Sequence, residues 1–244
     1  MKDQPVILAL DSTAQCASVA LLRGDKVLWQ RTVCDGFTHS ETLLPMIETA
    51  LGDTKLTCDG IDIFACSAGP GSFTGVRIGT ATVKGLAFGK NKPCVGVSSL
   101  EALAENLRGK KGIICAAMDA RREQVYCAIF ESDGEAVTRL CPDRAMAASE
   151  LCDELMVYSL PISLCGDGYN VVQRACEGQI GFAPVTEEEK LQNAVGVARV
   201  ALREYSKGNF VNDTELSPTY LRLAQAERER NERLAKEKAE SENK

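Results

Sequence analysis

Apolar and polar positions along the chain repeat with two periods, and the switches between them mark out strands and helices. Short apolar runs at 6–10, 17–22, 61–66, 114–118 and 162–165 read as buried strands. Helical spacing appears where Leu43, Leu44, Ile47 and Leu51 recur, and again at Phe73, Val76, Val83 and Leu86. A third helix starts after Ser98, with Glu101 completing a capping box and Leu100, Leu103 and Leu107 on its apolar face. The pattern predicts further helices from about Ser149, over 169–177 and over 187–207, the last stopped by Gly208. Strands alternating with helices define an α/β protein.

One strand-turn-strand unit is written twice. Residues 6–22 and 114–130 align without gaps at an offset of 108. In each copy an apolar strand ends in an aspartate (Asp11, Asp119), a polar turn follows, and a second strand leads to a turn and a third strand. A repeat this long indicates two duplicated lobes, because solenoid repeats run roughly 20 to 50 residues. The expected division is a first lobe at 1–108, a second at 109–222, and a charged helical or disordered tail at 223–244.

Composition narrows the function. At 244 residues and 45% hydrophobic the chain can bury a full core, and its net charge of −6 argues against free-standing binding to nucleic acid or an anionic membrane. No signal-peptide pattern or membrane-length apolar run occurs. The eleven cysteines are odd in number, lack Cys-x-x-Cys spacing and mostly lie in apolar runs, so they are expected to be reduced, in a cytoplasmic protein.

The single histidine, His39, removes several mechanisms. Four residues on stands Leu43, so neither a zinc-protease helix nor a His-x-x-x-His metal site can form. No Gly-x-Ser-x-Gly elbow surrounds Ser72, since Pro70 precedes it by two. The glycine-rich run 67–79 is neither a Walker loop nor a Gly-x-Gly-x-x-Gly fingerprint. Its helix carries Gly75 and Gly79, although interior glycine costs roughly 1 kcal/mol against alanine. That cost implies a close approach, and a second helix packed on Gly75 and Gly79 is the expectation.

Duplicated strand-Asp-turn-strand units resemble the actin, sugar-kinase and Hsp70 superfamily, where two such hairpins grip ATP phosphates and metal across a cleft. Here neither turn contains glycine, and the second carries Arg121, Arg122 and Glu123. More closely, the chain resembles the TsaB (YeaZ) family. The resemblance rests on Leu-Ala-Leu-Asp-Ser-Thr at 8–13, His-Ser-Glu-x-Leu-x-Pro at 39–45 and Gly-Pro-Gly-Ser-Phe-Thr-Gly-Val-Arg-Ile-Gly at 69–79. It continues through Val-Ser-Ser-Leu-Glu-Ala-Leu at 97–103, Met-Asp-Ala-Arg-Arg at 118–122 and Pro-x-Tyr-Leu-Arg at 218–222.

The resemblance implies a duplicated two-lobed actin-like (ASKHA, ribonuclease H-like) fold with no catalytic residue and no metal. It implies a subunit that activates TsaD by heterodimerising with it, for threonylcarbamoylation of adenosine 37 in tRNAs reading ANN codons. TsaE, an ATPase, joins that pair, and tRNA is reached indirectly; alone, such a chain can homodimerise. The expected partner face is His39, Leu43, Ile47, Gly75, Ile78, Gly79 and Thr82, on helices 39–51 and 72–88. Asp11, Asp119, Gly166 and Gly168 are the vestigial nucleotide-binding positions. No cofactor is expected to bind tightly, and ATP or ADP only weakly or within the complex. Two rival readings are an ATP-dependent phosphotransferase of the sugar-kinase type, using Asp11 or Asp119, and an M22-type peptidase using His39.

Overall fold

Two five-stranded sheets repeat one plan. The computed structural model describes residues 4–34 and 38–222; the tail expected at 223–244 lies outside them. The first sheet orders its strands as β3 (Lys26–Val33), β2 (Ala17–Arg23), β1 (Val6–Asp11), β4 (Ile63–Gly69) and β5 (Cys94–Ser98). The second runs β10 (Ile162–Cys165), β6 (Gly112–Asp119), β7 (Gln124–Ser132) and β8 (Val137–Arg139), with β9 (Arg144–Ala147) also on β7. The first hairpin and the parallel strand beside it thus recur, β10–β6–β7–β8 matching β4–β1–β2–β3. The counterpart of β5 shrinks to a single parallel bridge, Ser163 with Ala183.

The central strands of each sheet are buried on both faces. Helices α1 (His39–Thr54) and α2 (Phe73–Ala87) cover one face of the first sheet, placing Leu43, Met46, Ile47 and Val83 against Leu8, Leu10 and Phe64. Full burial of such side chains contributes about 1.5–3 kcal/mol each. Helices α4 (Ala148–Leu155) and α5 (Tyr169–Ala175) do the same for the second sheet through Leu151, Leu155 and Val172.

The inner faces exchange helices. Helix α3 (Ser99–Glu105) precedes the second sheet in sequence yet places Leu100 and Leu103 against Ile114, Ala116 and Phe130 of that sheet. Helix α7 (Ala194–Ser206), from the second half, places Val197, Ala198 and Ala201 on Ile7, Ala9 and Val95 of the first. The expected lobe boundary at 108/109 therefore divides the strands but not the helices. The reason is geometric: α3 and α7 fill the space between the sheets, each on the sheet of the other half. A salt-bridge network fixes their pairing, with Glu101 joined to Arg139 at 2.8 Å and to Arg203 at 2.5 Å, and Glu105 joined to Arg203 at 2.6 Å.

Three further expectations need correction. The helix expected over 187–207 is two pieces, a short α6 (Glu187–Lys190) and α7. Asn193 breaks it by adopting an extended backbone and capping α7, its side chain accepting from the Val195 amide at 2.8 Å. The gapless repeat is one residue too long: Asp11 pairs with Ser18, but Asp119 pairs with Val125 rather than with Tyr126. Third, not every cysteine is reduced. Cys16 and Cys34 form a disulfide, while the other nine are free. Extending the β2–β3 register one step past Ala17 opposite Val33 sets these two cysteines face to face, Cα to Cα 4.4 Å apart.

Among the described residues, no helix is long and apolar enough to cross a membrane.

Candidate functional site

The two aspartate turns meet across a cleft of about 450 Å³ lined by Thr13, Gln15, Phe73, Asp119, Tyr126 and Asp167, among others. Residues 219–222 form one of its walls. Thr219 donates its amide to the Ala68 carbonyl at 2.7 Å, and Tyr220 stacks on Phe73 with centroids 4.7 Å apart. Arg77 Nε donates to the Tyr220 hydroxyl at 2.9 Å.

Asp11 does not face this cleft as a free carboxylate. It is buried at 1% exposure, accepts from the Thr13 amide at 2.9 Å and hydroxyl at 2.7 Å, and accepts from Ser67 Oγ at 2.6 Å. Burial pushes its carboxyl above the ordinary range, opposed by those hydrogen bonds. Through Thr13 on one side and Ser67 on the other, Asp11 pins the first turn to β4. Asp119 is more open, but its Oδ1 accepts from the Arg121 amide at 2.7 Å, and Arg121 Nη1 lies 3.4 Å from Oδ2. The second turn then runs through three non-glycine residues at positive φ, Arg121, Arg122 and Glu123. Such a conformation costs roughly 1–2 kcal/mol per residue. It holds the arginine side of the turn where a phosphate-binding hairpin would offer glycine amides.

The expected Gly166 and Gly168 lie behind the cleft. A methyl at Gly166 would collide with the Ala117 carbonyl, and Gly168 donates its amide to the same oxygen at 3.0 Å. The residue of that turn that does line the cleft is Asp167, which the sequence reading passed over. Its one signal was its place between two glycines whose closeness to β6 carries it inward.

Burial pushes the Asp167 carboxyl up to about 6 from the ordinary 3.8; the neighbouring Asp119 carboxylate adds to this and the Asp119 amide opposes it. Stability tied to the protonated form is full below about pH 4 and is lost as pH rises through about 6. Asp167→Asn, which keeps an acceptor for the Asp119 amide, should raise stability by about 2 kcal/mol at pH 7.5 and leave it nearly unchanged at pH 4. Thermal unfolding at the two pH values checks this, and an equal effect at both would contradict it.

The expected partner face is largely turned inward. Leu43 and Ile47 are 1% and 2% exposed, in the core of the first sheet. Gly75 and Gly79 do answer a close approach, but to the first turn rather than to a second helix. A methyl at Gly75 would collide with the Ser12 carbonyl, and one at Gly79 would sit 2.8 Å from Ser12 Oγ. Ser12 Oγ in turn donates to the Gly75 carbonyl at 2.9 Å. His39 is half-buried, its Nε2 2.8 Å from the Ala14 carbonyl, and so ties α1 to the same turn. Ile78 and Thr82 are half-buried. On the outer surface of the two helices stand Leu44 at 50% exposure and, just past α2, Phe88 at 76%. The apolar spacing that flagged Leu43 and Ile47 could not separate the stripe facing the sheet from its neighbour facing out.

Among the described residues, no group of three or more His, Cys, Asp or Glu side chains is placed to hold a metal ion.

Two duplicated lobes with hairpin turns facing across a cleft, and exchanged inner helices, define the actin-like class of α/β proteins. The family model described as TsaD, tRNA N6-adenosine threonylcarbamoyltransferase, matches residues 37–227. The chain is 30% identical over 221 residues to the tRNA threonylcarbamoyladenosine biosynthesis protein TsaB of Bacillus subtilis, spanning 91% of this chain and 96% of that one. It is 32% identical to the protein of the same name from Haemophilus influenzae over 232 residues, spanning 88% and 93%. Among solved structures, YeaZ from Pseudomonas aeruginosa superposes with a TM-score of 0.73 at 26% identity, spanning 89% of this chain and all of that one. The chain belongs to the TsaB (YeaZ) family of tRNA threonylcarbamoyladenosine biosynthesis proteins.

Proposed function

We propose that the chain is a non-catalytic subunit that pairs with TsaD and activates it to transfer a threonylcarbamoyl group to adenosine 37 of tRNAs reading ANN codons. The observation that carries this reading is the state of the two cleft aspartates: Asp11 is consumed by its own turn and Asp119 is engaged by Arg121. With Asp11 spent on its own turn, a two-hairpin grip on a metal–nucleotide loses one side, although Asp119 and Asp167 still line the cleft; a paralogue that works through contact needs neither. The only histidine ties α1 to the first turn through the Ala14 carbonyl and does not line the cleft, which disfavours the peptidase reading. The formal charge of −6 suits a protein that reaches tRNA through its partner.

The docking face is the outer surface of α1 and α2, anchored by Leu44 and Phe88 rather than by Leu43 and Ile47. A specific contact there buries on the order of 1,600 Å² in total. The same face serves for homodimerisation when TsaD is absent, and TsaE joins the heterodimer. Light scattering on an equimolar mixture of purified chain and TsaD tests the pairing: a one-to-one complex is expected, and two separate species would reject it.

Nucleotide is held weakly at most. Calorimetry with ATP and magnesium on the isolated chain should show a Kd of about 1 mM or weaker and no turnover of small alcohols. Micromolar affinity with turnover would instead support the phosphotransferase reading.

A further inference from the structure

We propose that Cys16 and Cys34 are a reversible dithiol–disulfide switch that clamps the first cleft turn to the end of β3. The bond sits one step beyond Ala17 opposite Val33, where the β2–β3 ladder meets the cleft turn. Cys16 follows Thr13, Ala14 and Gln15, which line the cleft, and immediately precedes β2. Cys34 follows β3 and stands four residues before Thr38, the cap residue of α1. At the helix start the Thr38 side chain donates to Glu41 at 2.6 Å, and the Thr38 carbonyl accepts from the Glu41 and Thr42 amides. The turn is tied to the helix start by His39 Nε2, 2.8 Å from the Ala14 carbonyl. From the turn the connection continues to α2, whose Ser72 amide donates to the Thr13 carbonyl at 2.7 Å. Closing one covalent bond therefore restrains the cleft turn from which the His39 and Ser72 contacts are made.

Accessibility distinguishes this pair from the other nine cysteines. Cys34 is exposed, whereas Cys16 beneath it is 1% exposed. The free cysteines are buried or half-buried. Burial pushes the Cys66 thiol up to about 12 and the Cys94 and Cys127 thiols up to about 11, which suppresses the reactive thiolate. The oxidant is a hydroperoxide. The Cys34 thiolate attacks one peroxide oxygen, breaking the O–O bond, and becomes a sulfenic acid as hydroxide leaves. The Cys16 thiolate then attacks the Cys34 sulfur and expels a second hydroxide. With the two thiol protons counted, two thiols and one hydrogen peroxide give one disulfide and two waters. A dithiol reverses the bond by exchange, supplying two electrons and two protons.

The test is hydrogen exchange on the full chain in two states, after one equivalent of hydrogen peroxide and after excess dithiothreitol, with thiol mapping by mass spectrometry. Peroxide should join Cys16 to Cys34 and leave the other nine thiols free. Exchange at residues 12–15 should be on the order of tenfold slower in the oxidised state. A Cys16→Ser, Cys34→Ser double variant should match the reduced protein in both conditions; chemical reduction of the unaltered chain supplies the same comparison if that variant folds poorly. A bond that survives excess dithiothreitol would make this a permanent staple and overturn the switch. So would peroxide that oxidises other thiols first, or identical exchange in the two states. No partner enters the readout, so the result is independent of whether the chain pairs with TsaD.

Discussion

Gly75→Ala should destabilise the protein by about 3 kcal/mol, an effect usually reserved for large core truncations. Alanine ordinarily improves a helix interior by about 1 kcal/mol over glycine, so the sign alone is informative. Here the added methyl would enter the space of the Ser12 carbonyl, a backbone atom fixed by its neighbours. Asp11 holds the turn through Thr13 and Ser67, and the Ser72 amide holds the Thr13 carbonyl. Neither side can yield without giving up buried hydrogen bonds, each worth about 1 kcal/mol and more when a partner is stranded. Gly85→Ala, ten residues along the same helix with nothing near the new methyl, should be neutral or stabilise by up to about 1 kcal/mol. Urea unfolding of the two variants reads the contrast directly. Equal stabilities would mean that the turn is not seated on α2 as described.

Leu44→Glu should weaken the complex with TsaD by on the order of a hundredfold or more while leaving the isolated chain folded. A half-exposed leucine contributes little to the monomer, so its stability should change by less than about 0.5 kcal/mol. At the centre of an interface, a charge placed against apolar surface removes an anchor and adds a desolvation cost, together about 3 kcal/mol. Leu43→Glu gives the opposite outcome: at 1% exposure inside the first core it should unfold the chain. Calorimetric titration with TsaD and thermal unfolding of each variant separate the cases. A Leu44→Glu chain that still binds with unchanged affinity would move the docking face elsewhere.

Much of the architecture was written in the chain because duplication was. Two copies of a strand-Asp-turn-strand unit predict two matching sheets, and strong periodicity located α1 and α2 within a few residues. The exchange of α3 and α7 was not legible, since periodicity shows that a helix has an apolar face and not which sheet receives it. The disulfide escaped for a related reason. Cys16 and Cys34 are 18 positions apart and become neighbours only once the β2–β3 register is known. At the site, Asp11 and Asp119 were legible as turn residues, but their engagement by Thr13, Ser67 and Arg121 depends on distances that composition does not encode. The glycine-rich run carried a true signal of close approach; what it approaches is the Ser12 turn, a contact created by the fold itself. The outward residues Leu44 and Phe88 become distinct from their buried neighbours only when the helix is laid on its sheet.

In the proposed role this chain enables a reaction it does not perform. The direct measurement is threonylcarbamoyladenosine formation on an ANN-reading tRNA by TsaD supplied with a threonylcarbamoyl donor and TsaE, with the chain absent, added, or added as Leu44→Glu. The prediction is that product forms only with the unaltered chain, saturating at one chain per TsaD. Asp119→Asn should keep most of that activity, because no step depends on its carboxylate. Equal product with and without the chain, or loss of product on Asp119→Asn with binding to TsaD intact, would contradict the claim.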